Sequence, residues 1–256
     1  MMPAHFGPWI QRSSWYHDVT SIVVTYLTDR DKVRQYLPAP FELDEEPIVS
    51  VTSSMNRNID WMAGWGYNLI TVGISAVFKG EDPAIHAPYC LVMWENSTDP
   101  IINGRELLGV PKIYADIPDH QEIHGAWYTR ASHYGNKIMD MSVGELVELP
   151  AKNLKQMNRE SKRSALFCWQ YIPKIGQLGA AVNAPALFPK ESIIKQAWIG
   201  KGGIQWRHLT WEQNPTQFHI VNALADLPIL EMRMALVTKG SNNLKVPGHP
   251  PRYLIA

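Results

Sequence analysis

The feature that most constrains this chain is the recurrence of β-branched and apolar runs between short turn segments. Residues 19–27, 47–53, 67–78 and 87–95 each read as strands, because branched and aromatic side chains suit a pleated, half-buried surface. Lys79-Gly80-Glu81-Asp82-Pro83 and residues 96–100 supply turns. Further strands are expected over 113–117, 122–132, 137–143, 167–172, 194–209 and 216–224, with Tyr134-Gly135-Asn136 as a hairpin turn. Residues 228–238 fit helix or strand. Two helices are expected: one capped by Thr28 or Asp29 and running through Tyr36, the other over 100–108, capped by Thr98 or Asp99 and stopped by Gly109 and Pro111. Residues 56–66 read as a loop, 151–163 as a polar surface loop or ragged strand, and 180–189 as an exposed Ala- and Pro-rich connection. Many strands at turn-separated spacing imply a mainly β (α+β) fold, a closed or nearly closed antiparallel barrel, with residues 1–256 as a single domain.

A chain of 256 residues can bury a sizeable core. Its 24 basic residues balance 24 acidic ones, so nothing in the charge points to nucleic acid or an anionic membrane surface. Cys90 and Cys168 both lie among apolar neighbours and read as buried thiols in a reducing compartment. The first residues lack a basic region followed by an apolar stretch, and no window approaches the roughly 20 apolar residues of a membrane helix. A cytoplasmic location is therefore expected. Ten tryptophans and ten tyrosines suit a β-rich core, or an aromatic-lined pocket.

The chemistry concentrates in Gly104-Arg105-Glu106-Leu107-Leu108-Gly109-Val110-Pro111-Lys112. Lys112 follows an apolar run and precedes Ile113-Tyr114-Ala115. An ammonium group in such surroundings loses hydration, which favours the neutral amine. A neutral amine attacks a ketone or aldehyde and forms an imine. The alternative is a lysine that snorkels from the start of a strand. Glu95 ends an apolar strand after Trp94, where a carboxyl group of raised pKa could serve acid–base work, or merely end the strand. Tyr67, after Gly64-Trp65-Gly66, could donate its phenol to a carbonyl. Trp61, Trp65 and Trp94 suggest an aromatic wall, and Val110 an apolar one. His86 and Asp60 are weaker candidates. His120, Glu122 and His124 alternate and would share one face of a strand, an arrangement that imitates a zinc site but more commonly marks the wet face of an edge strand.

The 104–112 segment resembles the signature of the acetoacetate decarboxylase superfamily: Gly-Arg-Glu-Leu, a few residues, then Pro-Lys. The likeness extends through Tyr26-Leu27-Thr28-Asp29, Leu37-Pro38-Ala39-Pro40, Glu46-Pro47, Tyr171-Ile172-Pro173 and residues 215–236. The resemblance implies a cone-like β-barrel with short flanking helices, assembled into homo-oligomers. It also implies Lys112 as the imine-forming residue, with Arg105 and Glu106 as signature residues that pair with each other or reach the pocket. In the decarboxylase branch a second lysine follows the first, whereas here Ile113 follows Lys112. That branch also carries an arginine and two acids around the substrate carboxylate. Their places fall near Val19, Thr52 and Ile70, none of them charged. The expectation is a lyase that makes or breaks C–C bonds beside a ketone or keto-acid carbonyl, by aldolase or aldolase-dehydratase chemistry, with no metal and no cofactor. Decarboxylation of a different β-keto acid and a non-covalent binding or cyclisation scaffold are the alternatives.

Overall fold

The computed structural model describes residues 13–162, 164–245 and 248–255. The amino-terminal stretch read for a leader lies outside them, except for its last residues, as does Arg163. Among the described residues fourteen strands form one sheet with four short helices. The wall is built from β1 (Trp15–Leu27), β3 (Ile48–Ile59), β4 (Tyr67–Phe78), β5 (Ile85–Glu95), β8 (Ala126–His133), β9 (Asn136–Glu148), β12 (Glu191–Trp206) and β13 (Glu231–Asn243). They run in the order β5-β4-β3-β1-β13-β12-β9-β8. Short β6 (Lys112–Tyr114) pairs parallel to the end of β5. Just beyond it, Asp116 exchanges two backbone hydrogen bonds with Ser132 of β8, 2.8 and 3.0 Å. These bonds bring the two ends of the wall together, as the barrel expectation required.

Strand β5 is also a fork. Its last residues pair with β6, and Tyr89 in its first half pairs with Phe167 of β10 (Ala165–Pro173). From that edge β10, β11 (Ala180–Pro189) and β14 (Arg252–Tyr253) extend as a flap. Short β2 (Phe41–Leu43) sits on β4, and β7 (Gln121–Ile123) on β8.

Side chains on a strand alternate between faces, and the wall uses the two faces differently. Val49 and Val51 of β3, Ile70, Val72 and Ile74 of β4, and Val92 and Trp94 of β5 point into the barrel. There they pack with Ile22, Val24, Met139, Met141 and Val237, all nearly inaccessible. The opposite face of the same three strands carries Ser50, Thr52, Ser54, Tyr67, Thr71, Met93 and Glu95, and lines a cavity.

Four local expectations are corrected. Residues 56–59 continue β3, because Asn56 pairs with Tyr67 and Ile59 with Tyr16; only Asp60–Met62 turns, as a single 3-10 turn. The stretch read as a polar loop is helix α3 (Ala151–Ser161), whose Ala, Lys, Leu, Gln, Met and Glu are strong helix formers. Residues 180–189 pair along their length with β10; Pro185 is tolerated because β14 covers only Ala186 and Leu187 on the other side. The apolar run at 216–224 is helix α4 (Phe218–Ala225), with Val221 and Leu224 three residues apart on its buried face. Asp29 caps α1 (Arg30–Arg34) as expected, accepting from Lys32 N at 2.8 Å. The ambiguous 228–238 resolves as strand from Glu231 onward, within β13. Among the described residues no helix is long and apolar enough to cross a membrane.

His120, Glu122 and His124 do not share a face. His120 precedes β7 and turns inward, whereas Glu122 and His124 are exposed, His124 at a left-handed turn position. The His120 Nε2 lies 2.9 Å from Ser53 Oγ, which in turn lies 3.0 Å from Thr129 Oγ1 across the barrel. Its buried Nδ1 has no partner among the described residues. Burial lowers its pKa from 6.5 to about 4, with Asp119 opposing and Arg57 assisting. The unfolded chain takes up this proton at higher pH than the folded one, so stability is lost as pH falls through the interval between those values, by up to about 3 kcal/mol. Urea unfolding followed from neutral to about pH 4 is expected to show this loss, and a His120→Gln variant to flatten it.

Candidate active site

The signature segment folds into helix α2 (Thr98–Leu108), a left-handed turn at Gly109 (φ 68°), and β6. Two glycines allow the close packing this needs. A Cβ on Gly104 would lie 2.3 Å from Lys112 Cε and 2.7 Å from its Nζ, so the lysine side chain rests directly on the helix backbone. A Cβ on Gly109 would meet Gln170 of β10 at 2.7 Å, and Gln170 Nε2 donates to Glu106 O at 2.7 Å. The helix is thus clamped between the two branches of the fork.

Lys112 and Glu95 are brought together in the buried interior. Lys112 Nζ lies 2.8 Å from Glu95 Oε1 and donates to Pro100 O at 3.0 Å. Glu95 is wholly inaccessible, and its Oε2 has no hydrogen-bond partner among the described residues. The wholly apolar setting read from the sequence is corrected here: the amine has a buried carboxyl group as its partner. Burial raises the Glu95 pKa, and the attraction and hydrogen bond of Lys112 oppose that rise. Burial thus makes the Glu95 carboxyl group more basic, with Lys112 Nζ as its neighbour.

Both groups line a cavity of about 490 Å³. Its barrel side is the polar face of β3, β4 and β5. Its outer side is formed by Glu160 at the end of α3, residues 164–166, Phe188 and Lys190. Tyr67 faces into it, with Tyr16 beside it at 3.2 Å between phenol oxygens. Trp61 Nε1 donates to Tyr16 OH at 3.2 Å. The indole can only donate, so Tyr16 OH accepts from Trp61, and either phenol can be the donor between Tyr16 and Tyr67. Burial pushes Tyr16 up to about 12 and Tyr67 well above the ordinary range, helped by the negative charge of Glu95. Both phenols are neutral donors at physiological pH, not bases.

Other expected site residues fall elsewhere. Trp94 is on the opposite face of β5 from Glu95, in the barrel core, where its indole donates to Gln217 Oε1 at 2.8 Å. Trp65 is 78% exposed. Trp61 packs behind Tyr16 and Tyr67 and does not line the cavity. Val110 is buried with Met93, Cys90 and Cys168 beneath the lysine turn. Arg105 is exposed and donates to Lys112 O at 3.0 Å, fixing the backbone of the lysine. Glu106 is exposed, and its carbonyl accepts from Gln170 Nε2. Asp60 pairs with His17 at 2.7 Å, outside the cavity. His86 does reach the rim, its Nδ1 3.0 Å from Asp44 Oδ2. Sequence reasoning missed Tyr16, Lys190 and the hydroxyl-bearing face of β3. For that face the alternation Ser50, Thr52, Ser54 against Val49 and Val51 was a usable signal. Lys190, beside Glu191, carried none.

Replacement of Gly104 by alanine tests the seat of the lysine. Alanine favours a helix over glycine by about 1 kcal/mol, which offsets only part of the cost of separating the buried pair, so a lowered melting temperature is expected. Lys112 must leave Glu95, and a displacement of that size costs about 100-fold in turnover. Thermal melts beside single-turnover rates for Gly104→Ala separate the two effects.

Residues 1–241 match the acetoacetate decarboxylase (ADC) family. Among curated relatives, the acetoacetate decarboxylase of Burkholderia mallei (strain NCTC 10229) is 26% identical over 219 residues, 82% of this chain and 77% of the relative. Among solved structures, the acetoacetate decarboxylase of Legionella pneumophila superposes with a TM-score of 0.77 at 19% identity, covering 99% of this chain and 92% of that one. The enduracididine biosynthesis enzyme MppR, complexed with pyruvate, gives 0.72 at 15% identity, covering 99% and 95%. It has also been solved with the condensation product of pyruvate and imidazole 4-carboxaldehyde, where the match is 0.69 at 16% identity, covering 95% and 90%. With the mainly β fold and the extent of the sequence match both in hand, this chain belongs to the acetoacetate decarboxylase family.

Proposed function

We propose that the protein is a Schiff-base lyase that condenses a keto acid with an aldehyde, as an aldolase or aldolase-dehydratase. The observation that carries this reading is Lys112 Nζ, paired with the buried Glu95 carboxyl group at 2.8 Å and open to a cavity of about 490 Å³. The amine is held on two sides, by Glu95 Oε1 and by Pro100 O.

The steps follow from these groups. Lys112 passes a proton to Glu95 and adds to the ketone carbon. Glu95 returns the proton to the resulting hydroxyl group, which leaves as water, and the iminium forms. Loss of a proton from the adjacent carbon to Glu95 gives the enamine. Its carbon bonds to the aldehyde carbon, whose oxygen accepts a hydrogen bond from Tyr67 and the proton from Glu95. Loss of water gives the unsaturated iminium, and hydrolysis frees the product and restores Lys112. One further observation supports condensation: MppR, a structural neighbour, is seen with a pyruvate condensation product.

Decarboxylation of a β-keto acid is the second reading, favoured by the names of the curated relatives. It reaches the same enamine by breaking the bond to the carboxylate carbon, which departs as carbon dioxide.

Borohydride reduction in the presence of pyruvate, followed by peptide mass spectrometry, is expected to place the reduced adduct on Lys112 and to give none in Lys112→Arg. Absence of any adduct with pyruvate or acetoacetate overturns the imine mechanism. Glu95→Gln is expected to lower turnover by about 10²- to 10⁴-fold, the range for loss of an acid–base group. Carbon dioxide release measured against condensation product, with an aromatic aldehyde as acceptor, decides between the two readings.

A further inference from the structure

A second lysine, Lys190, lines the same cavity as Lys112 and Glu95. It is the single residue between β11 and β12, where the chain leaves the flap and re-enters the barrel wall. Its backbone is held on both sides by Ser164: Lys190 N donates to Ser164 O at 2.9 Å, and Ser164 Oγ donates to Lys190 O at 2.9 Å. The cation is therefore presented from a fixed point on the wall that faces the barrel strands.

The other charged groups of the cavity are engaged or exposed. Lys112 and Glu95 hold each other, His86 is paired with Asp44, and Glu160 is exposed and accepts from Gln156 Nε2 at 3.0 Å. Among the described residues Lys190 makes no ion pair. Burial lowers its pKa, with no neighbouring charge acting on it, while part of its surface stays open to the cavity. Burial alone therefore favours the neutral amine, and an anionic ligand group supplies the counter-charge that holds the proton on Lys190.

We propose that Lys190 is the carboxylate anchor of the cavity, selecting keto acids over neutral ketones and holding the acid group while the ketone meets Lys112. The proposal rests on the imine reading for the identity of the ketone. The anchoring itself does not require that an imine form.

Two measurements separate these claims. The first is borohydride trapping on Lys112 with pyruvate and with methyl pyruvate, its uncharged ester. Lys190→Met is expected to raise the half-saturating pyruvate concentration about 10- to 100-fold, the loss of one charge-assisted contact, and to leave methyl pyruvate unchanged. Lys190→Arg is expected to recover much of the pyruvate response. The second is calorimetric binding of oxamate, an unreactive carboxylate of the same shape, which is expected to weaken by a similar factor in Lys190→Met. An equal change for acid and ester, or oxamate binding unaltered by Lys190→Met, overturns the anchor. Oxamate binding that depends on Lys190, with no adduct on Lys112 for any ketone, keeps the anchor and removes the imine. Melting curves of both variants check that the Ser164 junction is intact.

Discussion

The contact between Lys112 and Glu95 organises this part of the molecule. Each group is buried, and each alone would be costly there; removing one partner from such a pair typically destabilises a protein by several kcal/mol. The pair also ties three segments together, because Glu95 ends β5, Lys112 begins β6, and Pro100 O in the first turn of α2 accepts from the same amine. Among the described residues the Oε2 of Glu95 has no hydrogen-bond partner, an unfavourable arrangement for stability alone.

The wall around this pair has two faces with different composition. The two-residue period of β3, β4 and β5 sends valine, isoleucine and tryptophan into the barrel and serine, threonine, tyrosine and glutamate toward the cavity. One set of strands therefore supplies both a dry, rigid support and a polar reaction surface. The fork at β5 makes room for the cavity: β6 continues the barrel, and β10 diverges to carry the flap that forms the outer wall. The neutral phenols of Tyr16 and Tyr67 add donors without adding charge.

Proteins of this fold include acetoacetate decarboxylases and MppR, the latter solved with a condensation product of pyruvate. On the imine reading proposed above, the charges around the rest of the substrate choose between decarboxylation and condensation. In this chain those charges are few, and they come from opposite walls: Glu95 and Lys112 from the barrel, Lys190 and Glu160 from the flap side.

The sequence by itself determined most of the strands, the helix before the lysine with its Gly109 stop, and Lys112 as the reactive candidate, because these depend on local periodicity and a contiguous motif. It also marked Glu95 and Tyr67, since a carboxyl group or phenol at the end of an apolar strand stands out locally. It misread residues 151–163, 180–189 and 216–224, where polar helix formers, an alanine–proline run and a short apolar stretch fit more than one backbone until neighbours choose. Only the tertiary structure decided that Trp94 faces the core and Glu95 the cavity, that Gly104 clears space for the lysine, and that Tyr16 and Lys190 join the site. Those assignments depend on register and on segments far apart in sequence, and no local pattern encodes which strand lies beside which.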